Sequence, residues 1–437
     1  MKQSFYNHIE DDGTNYALYN CRTDELVLMN PDLKRLWTAH AATDVDALRA
    51  IHPTFYAYLC EKGFLVDDAL DEVQDYIDEL ARSDRSGASF SIHINPTLDC
   101  NMRCWYCYEK HRPGTAMSDE VRQRVERLME RKVSGAELRQ LNLAFFGGEP
   151  LMEFDTVVWP LLCAAVRLCE AHGKALAVHF TSNAYLLTPE RIERLASLKL
   201  HRPISWQITL DGGRTVHNRV RHTAAREATY DTIVRNIHAL LQAGMPVLVR
   251  LNYQYANLLS FLDVIDDFKD VDEKLKPLLS FQFQQIWQDR NNVSRENVNQ
   301  ELEKIERANK EAGLPLQTQR VRPTRCYADN EHSVVVNYDG NLFRCTAQDF
   351  VPDSREGILS PDGELQVNDT YRKRTARKFT NKVCRACKVY PLCFGGCSQK
   401  QMSRFADTCV MHYTEEDKLQ LIKQRIRTLS ESFHKQN

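Results

Sequence analysis

The stretch FSIHINPTLDCNMRCWYCYEK, Phe90–Lys110, decides the fold. Its first part, FSIHINPT, is an apolar and β-branched run of strand length. Its second part sets Cys100, Cys104 and Cys107 at C-x3-C-x2-C on a short loop before a helix, with the aromatic Tyr106 just ahead of the last thiol. A closed metal site usually takes four ligands. Thiolates are soft ligands that suit iron–sulfur clusters or zinc. On a cubane, three thiolates leave one iron without a protein ligand, and that iron can chelate a small molecule. A zinc ion completed by a distant histidine, or three incidental cysteines, also fits the spacing.

Further along, strand-like and helix-like stretches alternate. LNLAFFG, LAVHFTSN, ISWQITLD, PVLVRLNY and LSFQFQQI are apolar, β-branched or aromatic runs of strand length. Between them SDEVRQRVERLMERKV, VVWPLLCAAVRLCEAHG, TPERIERLASL and YDTIVRNIHALLQAG read as helices. Repeated βα units predict an α/β fold with a parallel sheet, open or closed as a barrel. In such folds ligands collect at the C-terminal ends of the strands. The three-cysteine loop follows the first strand and so falls on that rim.

This core is expected over residues 90–312. Ahead of it, residues 1–85 read as a small α+β module. YALYNCRTDELVLMN is strand, turn, strand, and Asn30 with Pro31 starts a helix as cap and first residue. Two more helical patterns follow, one broken at Pro53, and RSDRSGAS (Arg82–Ser89) reads as the linker. A cysteine-rich block is expected over 320–412 and a C-terminal helix over 413–437.

The 437 residues exceed one ordinary core, so two or three domains are expected. With 43% hydrophobic and 27% charged residues the chain is a folded protein, and a net charge of −2 gives no sign of a nucleic-acid binder. There is no signal-peptide h-region and no apolar run long enough to span a membrane. A cytoplasmic location is the expectation, and there the 14 cysteines call for an explanation other than disulfides.

At Cys100, Cys104, Cys107 and Tyr106 the chain resembles the radical S-adenosylmethionine (radical SAM) enzymes. The resemblance implies a partial (β/α)6 TIM-type barrel and a [4Fe-4S] cluster whose fourth iron binds S-adenosylmethionine. It implies cleavage of the sulfonium to a 5′-deoxyadenosyl radical, which abstracts a substrate hydrogen. It assigns Gly147, Gly148 and Glu149 in FFGGEP to the methionine amino end. Ser182 and Asn183 in TSN (Thr181–Asn183) look like a ribose contact. Thr209 and Arg221 in TLDGGRTVHNRVR resemble the hydroxyl and guanidinium that hold the cofactor carboxylate. The family usually has Ser where Thr209 stands. Arg250 in LVRLN is a second arginine of this kind.

After Cys169 no cysteine occurs until Cys326. Then come Cys326, Gly340 and Cys345 as C-x13-G-x4-C, then Cys384, Cys387, Cys393 and Cys397 as C-x2-C-x5-C-x3-C, then Cys409. Seven ligands suggest two multinuclear centres. The spacings are similar throughout to the SPASM extension of radical SAM proteins. That resemblance implies one auxiliary [4Fe-4S] cluster on Cys384, Cys387, Cys393 and Cys409, and another on Cys326, Cys345 and Cys397, three clusters in all. The second set again counts three thiolates, which leaves an iron open to a substrate thiolate or a water. Cys163 and Cys169, in an apolar helical segment, are expected to be buried. His93, His179, His217 and His222 read as structural, and the basic run YRKRTARKF as a solvated face.

SPASM proteins mostly modify peptides, and residues 1–85 resemble a PqqD-like winged-helix peptide-recognition element. The combined resemblance implies a sactipeptide- or ranthipeptide-like maturase of a ribosomally made precursor. It would bind the leader sequence, take electrons from a reductant such as flavodoxin or ferredoxin, and form an intramolecular crosslink, a thioether in preference to a carbon–carbon bond. Two other readings stand beside it. A sulfatase maturase that makes formylglycine typically has an Asp after the second SPASM cysteine, where this chain has Thr346, and a Tyr where it has Glu109. Asp339 and Asp349 remain as candidate bases. A non-catalytic iron–sulfur redox or peptide-binding protein is the other.

Overall fold

The computed structural model describes residues 1–11, 16–41, 43–289, 295–316, 325–402 and 407–434. The passage expected between the barrel and the cysteine-rich block falls partly on 317–324, outside the described residues. The chain divides into two compact units. One contains Ser86–Gln319 with Glu331–Tyr371, and the other Met1–Arg85 with Arg320–Asn330 and Arg372–Asn437.

The first unit is built on the six expected strands, Ser89–Ile94, Gln140–Phe145, Ala175–Ser182, Ser205–Leu210, Val247–Tyr253 and Leu279–Gln285. They lie side by side in chain order and every pair is parallel. Helices such as Asp119–Val133, Trp159–Ala171, Pro189–Ala196 and Tyr230–Gln242 connect them. Their starts follow from sequence: Ser118 accepts from Val121 N–H, and Thr188 from Arg191 N–H ahead of which stands Pro189. Acidic Asp119 and Glu120 sit in the first turn and Arg131 and Lys132 in the last, complementing the helix dipole.

Each strand alternates. Phe90, Ile92 and Ile94, then Leu141, Leu143 and Phe145, then Leu176, Val178 and Phe180 point to one side and join a single apolar core. Each such fully buried side chain contributes about 1.5–3 kcal/mol. Phe145, Phe180 and Trp206 stack across three neighbouring strands, with centroids 4.9 and 4.4 Å apart. The alternate positions are mostly polar, among them Ser91, His93, Asn142, His179, Thr181, Gln207, Thr209, Arg250 and Gln282. This polar face decides where a ligand can go, since its apolar counterpart is filled.

The sheet does not end with the first core strand. Ser333–Val336 pairs with it in parallel, and Asn341–Phe343, Gly357–Leu359 and Leu365–Val367 extend it antiparallel to ten strands. Gly340, at φ 78, makes the turn between the first two of these.

In the second unit the expected hairpin is Tyr16–Asn20 with Glu25–Met29. Asn7–Asp11 adds a third antiparallel strand that the sequence reading did not anticipate. Asn30 caps Pro31–His40, accepting from Leu33 N–H, as its sequence predicts. Pro53 starts a helix of its own, Pro53–Glu61, after Val45–Ile51, so four helices stand where three were expected. The fourth, Glu72–Asp84, runs into the segment expected to be linker. Asp84 is buried there and pairs with Arg325. The C-terminal helix Glu415–His434 lays Ile422 and Ile426 into a cluster with Tyr6, Ala17 and Tyr19, and Arg425 Nε donates to Asp24 at 2.8 Å.

Two smaller expectations fail. Cys163 is exposed although Cys169 is buried, because position 163 faces outward on Trp159–Ala171. In YRKRTARKF, a helix over Asp369–Thr380, Arg374 is buried and donates to Ser398 Oγ at 3.0 Å and Gln399 Oε1 at 2.9 Å. Among the described residues no helix is long and apolar enough to cross a membrane.

Candidate functional site

Cys100, Cys104 and Cys107 line one cavity of about 170 Å³. Its wall also holds Tyr106, Gly147, Gly148, Glu149, Ser182, Asn183, Thr209 and Arg221, so the site residues expected in the core meet at one place. The cavity lies past the C-terminal ends of the core strands and over their polar face, from which Thr181, Gln207, Arg250 and Asn252 enter it.

The cysteine loop is set by its own backbone. Asp99 accepts from Cys100 N–H at 2.7 Å and from Gly114 N–H at 3.0 Å, pinning both ends. Cys107 N–H bonds Cys104 O at 3.1 Å, a tight turn that places these two thiols on one side. Burial pushes all three thiols up, that of Cys107 to about 11. Buried thiols of this kind ionise when a cationic metal core supplies the compensating charge.

Tyr106 ties the loop to the strand ends. Its hydroxyl donates to Asp211 Oδ1 at 2.9 Å and accepts from Arg221 Nη1 at 2.9 Å and from Asn252 Nδ2 at 3.1 Å. Burial opposes the charge of Arg221, but Cys104, Tyr106 and Asp211 together hold its pKa above the usual value. Arg221 Nε is buried and has no protein partner. Burial drives the Asp211 carboxyl up to about 6 against the pull of Arg221.

The glycine pair is required by space. Gly147 and Gly148 have φ of 81° and 51°. A Cβ on Gly148 would stand 2.0 Å from Asp99 O, and one on Gly147 would stand 2.6 Å from the Asn95 side chain. Glu149 N–H donates to Asp99 O at 2.8 Å, so the turn is fastened to the start of the cysteine loop.

The carboxylate of Glu149 is taken up within the protein. It accepts from Ser182 Oγ at 2.7 Å, Asn183 N–H at 2.7 Å and Leu151 N–H at 3.0 Å, bracing the ends of the second and third core strands. Burial raises its pKa despite these donors. Ser182 in turn accepts from Ala184 N–H, and the Asn183 amide donates to Asn101 Oδ1 at 2.8 Å.

Several wall residues were not picked out by the sequence reading. Asn252 lies two positions from Arg250 on one strand face, and that period of two is the signal that could have found it. Asp211 stood within a quoted motif without a role. Glu109 was noticed only as a departure from a related family. Its Oε2 accepts from Gly148 N–H at 2.7 Å, and burial pushes its carboxyl up to about 7. Tyr108 and Trp287 stack at 5.3 Å on the rim and are exposed.

In the other unit Cys384, Cys387, Cys393 and Cys409 line a single pocket. Asn381 caps the short helix Lys382–Arg385, and its amide donates to Thr408 O at 3.0 Å, which brings Cys409 back to the other three. Phe394, Gly395 and Gly396 are all left-handed, with φ of 53°, 79° and 72°, and turn the chain sharply after Cys393. Burial lifts the Cys384 thiol to about 12 and the Cys393 thiol to about 11, with neighbouring cysteines adding to it. Four soft donors around one pocket fit a closed iron–sulfur cluster. Cys326 and Cys397 belong to this unit and Cys345 to the other. Cys345 is buried past the end of Asn341–Phe343, where its sulfur accepts from Ala347 N–H at 3.3 Å. Among the described residues no three His, Cys, Asp or Glu side chains are set to hold a single metal ion.

Comparison with known proteins agrees with this geometry. The family model described as the radical SAM superfamily matches residues 94–266, which are thus a radical SAM domain. That family implies a [4Fe-4S] cluster and S-adenosylmethionine, and the three thiols around an open cavity beside a glycine turn fit both. A radical SAM cyclopropyl synthase, TigE of Paramaledivibacter caminithermalis, is 27% identical over 115 residues, 22% of this chain and 24% of its own length. The structure of Streptococcus suis SuiB bound to S-adenosylmethionine superposes with a TM-score of 0.53 at 13% identity, covering 94% of this chain and 100% of that one. Native anSMEcpe with bound AdoMet and the Kp18Cys peptide gives 0.58 at 16% identity, covering 79% and 99%. At these identities the two structures share the fold.

Proposed function

We propose that this chain is a radical SAM enzyme of the SPASM type that modifies a ribosomally made precursor peptide by forming an intramolecular crosslink. The observation that carries the reading is the convergence of Cys100, Cys104, Cys107, the Gly147–Gly148 turn and Arg221 on one cavity. Cys100, Cys104 and Cys107 would hold a [4Fe-4S] cluster there, which would supply the electron for cleaving S-adenosylmethionine and with it the means to remove one hydrogen from the peptide. The chain's own residues do the rest. Arg221 presents a guanidinium to a carboxylate. Tyr106, Asp211 and Asn252 hold that arginine in place. The polar strand face carrying Gln207, Thr209 and Arg250 offers hydrogen bonds to a peptide, and the exposed Tyr108–Trp287 stack marks the entrance.

A crosslink removes two hydrogens. One leaves as 5′-deoxyadenosine. The second would leave as a proton and an electron; Cys384, Cys387, Cys393 and Cys409 would hold an auxiliary cluster able to take up that electron for an external acceptor. A thioether is the crosslink favoured by the three-cysteine count of the sequence at Cys326, Cys345 and Cys397. Residues 1–85 are assigned to leader binding. Their three-stranded sheet has two edge strands, Asn7–Asp11 and Glu25–Met29, and an extended leader can pair with such an edge. SuiB and anSMEcpe, each solved with a peptide, support a peptide substrate.

The candidate bases of the formylglycine reading both have partners. Asp339 is spent on Asn337 and Asn341 within a turn, and Asp349 pairs with Lys110 at 2.6 Å. The deciding experiment is anaerobic incubation of the reconstituted protein with dithionite and S-adenosylmethionine, with and without a candidate precursor peptide sought in the neighbouring reading frames. The reading expects 5′-deoxyadenosine and a peptide lighter by two hydrogens per crosslink. Absence of 5′-deoxyadenosine under both conditions ends it.

A further inference from the structure

The cavity wall carries two charged groups whose polar atoms the protein leaves unsatisfied. Arg221 Nε is one, and Glu109 Oε1 is the other. Both atoms are buried. A buried polar oxygen without a partner is costly, by more than an ordinary hydrogen bond contributes. The other Glu109 oxygen accepts from Gly148 N–H at 2.7 Å, so the side chain is anchored and its free oxygen has a fixed place. Glu149, by contrast, has three donors on its carboxylate and little left to offer a ligand.

An unsatisfied carboxylate oxygen and an unsatisfied guanidinium on one wall are complementary to an α-amino acid, amino group toward the first and carboxylate toward the second. We propose that Glu109 is the acceptor for the α-amino group of bound S-adenosylmethionine. It does so from the cysteine loop itself, through a carboxylate braced on the glycine turn. The inference rests on the radical SAM reading and deepens it. It moves the side-chain recognition of the amino end from Glu149, whose carboxylate braces the strand ends, to Glu109, two residues past the third cysteine.

The test compares two ligands on the cluster-loaded, full-length protein by anaerobic equilibrium dialysis. One is S-adenosylmethionine, and the other is its analogue with a keto oxygen in place of the amino group. Glu109→Ala and Glu109→Gln are each compared with the parent, at matched iron and sulfide content. The expected result is a loss of about 10- to 100-fold in affinity for S-adenosylmethionine, with a much smaller change for the keto analogue. The preference for the amine therefore collapses. Loss of the brace on Gly148 alone would weaken both ligands equally and leave the preference intact, which overturns the proposal. If Glu109→Ala fails to hold its cluster, the near-isosteric Glu109→Gln gives the same comparison, because its amide cannot accept from Gly148 and from the ligand at once. A parent protein that binds both ligands equally also overturns it. Parent protein that binds neither ligand would instead strike at the radical SAM reading.

Discussion

Arg221 donates to the Tyr106 hydroxyl at 2.9 Å across 115 residues of chain. The contact joins the residue before the third cluster cysteine to the arginine that closes the fourth core strand's loop. Asp211 and Asn252 complete the hydroxyl's hydrogen bonds, so one phenol couples the cysteine loop to two strand ends.

Removing that oxygen should be felt throughout the site. Tyr106→Phe leaves Arg221, Asp211 and Asn252 each short of a buried partner, and a loss of about 3 kcal/mol is expected. The core unit's thermal midpoint should fall, and affinity for S-adenosylmethionine with it. An unchanged midpoint would show that the network carries no weight.

The glycine turn makes a paired prediction. Gly148→Ala forces a Cβ to 2.0 Å from Asp99 O at a positive φ, so a loss above about 3 kcal/mol and a poorly reconstituted first cluster are expected. Gly114 also has a positive φ, 73°, but nothing lies within 4 Å of its added Cβ. Gly114→Ala should therefore cost only about 1 kcal/mol and leave iron content unchanged. Similar behaviour of the two variants would contradict the close-approach argument.

The four-cysteine pocket can be counted chemically. Cys393→Ala and Cys409→Ala should each lower bound iron by about four atoms per chain after anaerobic reconstitution. Cys169→Ala, in an apolar helix of the other unit, should not change it. Full iron in Cys409→Ala would remove that residue from the ligand set.

A pH effect follows from His93. Burial, with His179 nearby, pushes its pKa down to about 4 from an ordinary value near 6.5. The unfolded chain then binds the extra proton first. Stability is retained above about pH 6.5 and drains away as the pH falls toward 4, by about 3 kcal/mol at the end of that window. Asp211, pushed up to about 6, acts in the opposite sense, since its protonation relieves a buried charge as the pH falls below 6. The diagnostic is therefore the difference between parent and His93→Gln in urea midpoints at pH 7, 5.5 and 4.5. The gap should shrink in the parent's disfavour as the pH drops, and a constant gap would refute the assignment.

Much of the core was written in local patterns. A strand alternates every second residue and a helix every third or fourth, so six strands and their helices could be placed from periodicity alone. Asn30 and Pro31 announced a helix start by chemistry that acts over three residues. The three-thiol loop and the spacing of the later cysteines were equally local. The third N-terminal strand, Asn7–Asp11, was missed because its short run NHIED has a weak pattern and is stabilised by pairing with Tyr16–Asn20. Ser333–Val336, SVVV, is by contrast a β-branched run of strand type; what its pattern does not encode is the parallel register beside Ser91–Ile94.

The sequence by itself determined the three-thiol loop, the succession of core strands and helices and the glycine turn, because each depends on neighbours a few residues away. Tertiary structure alone decided that Tyr106 meets Asp211, Arg221 and Asn252, that Glu149 braces two strand ends, and that Glu109 keeps one oxygen free. Those outcomes depend on strand register and stagger, which bring residues from 33 to 146 positions apart within hydrogen-bonding distance, and no local spacing encodes that distance.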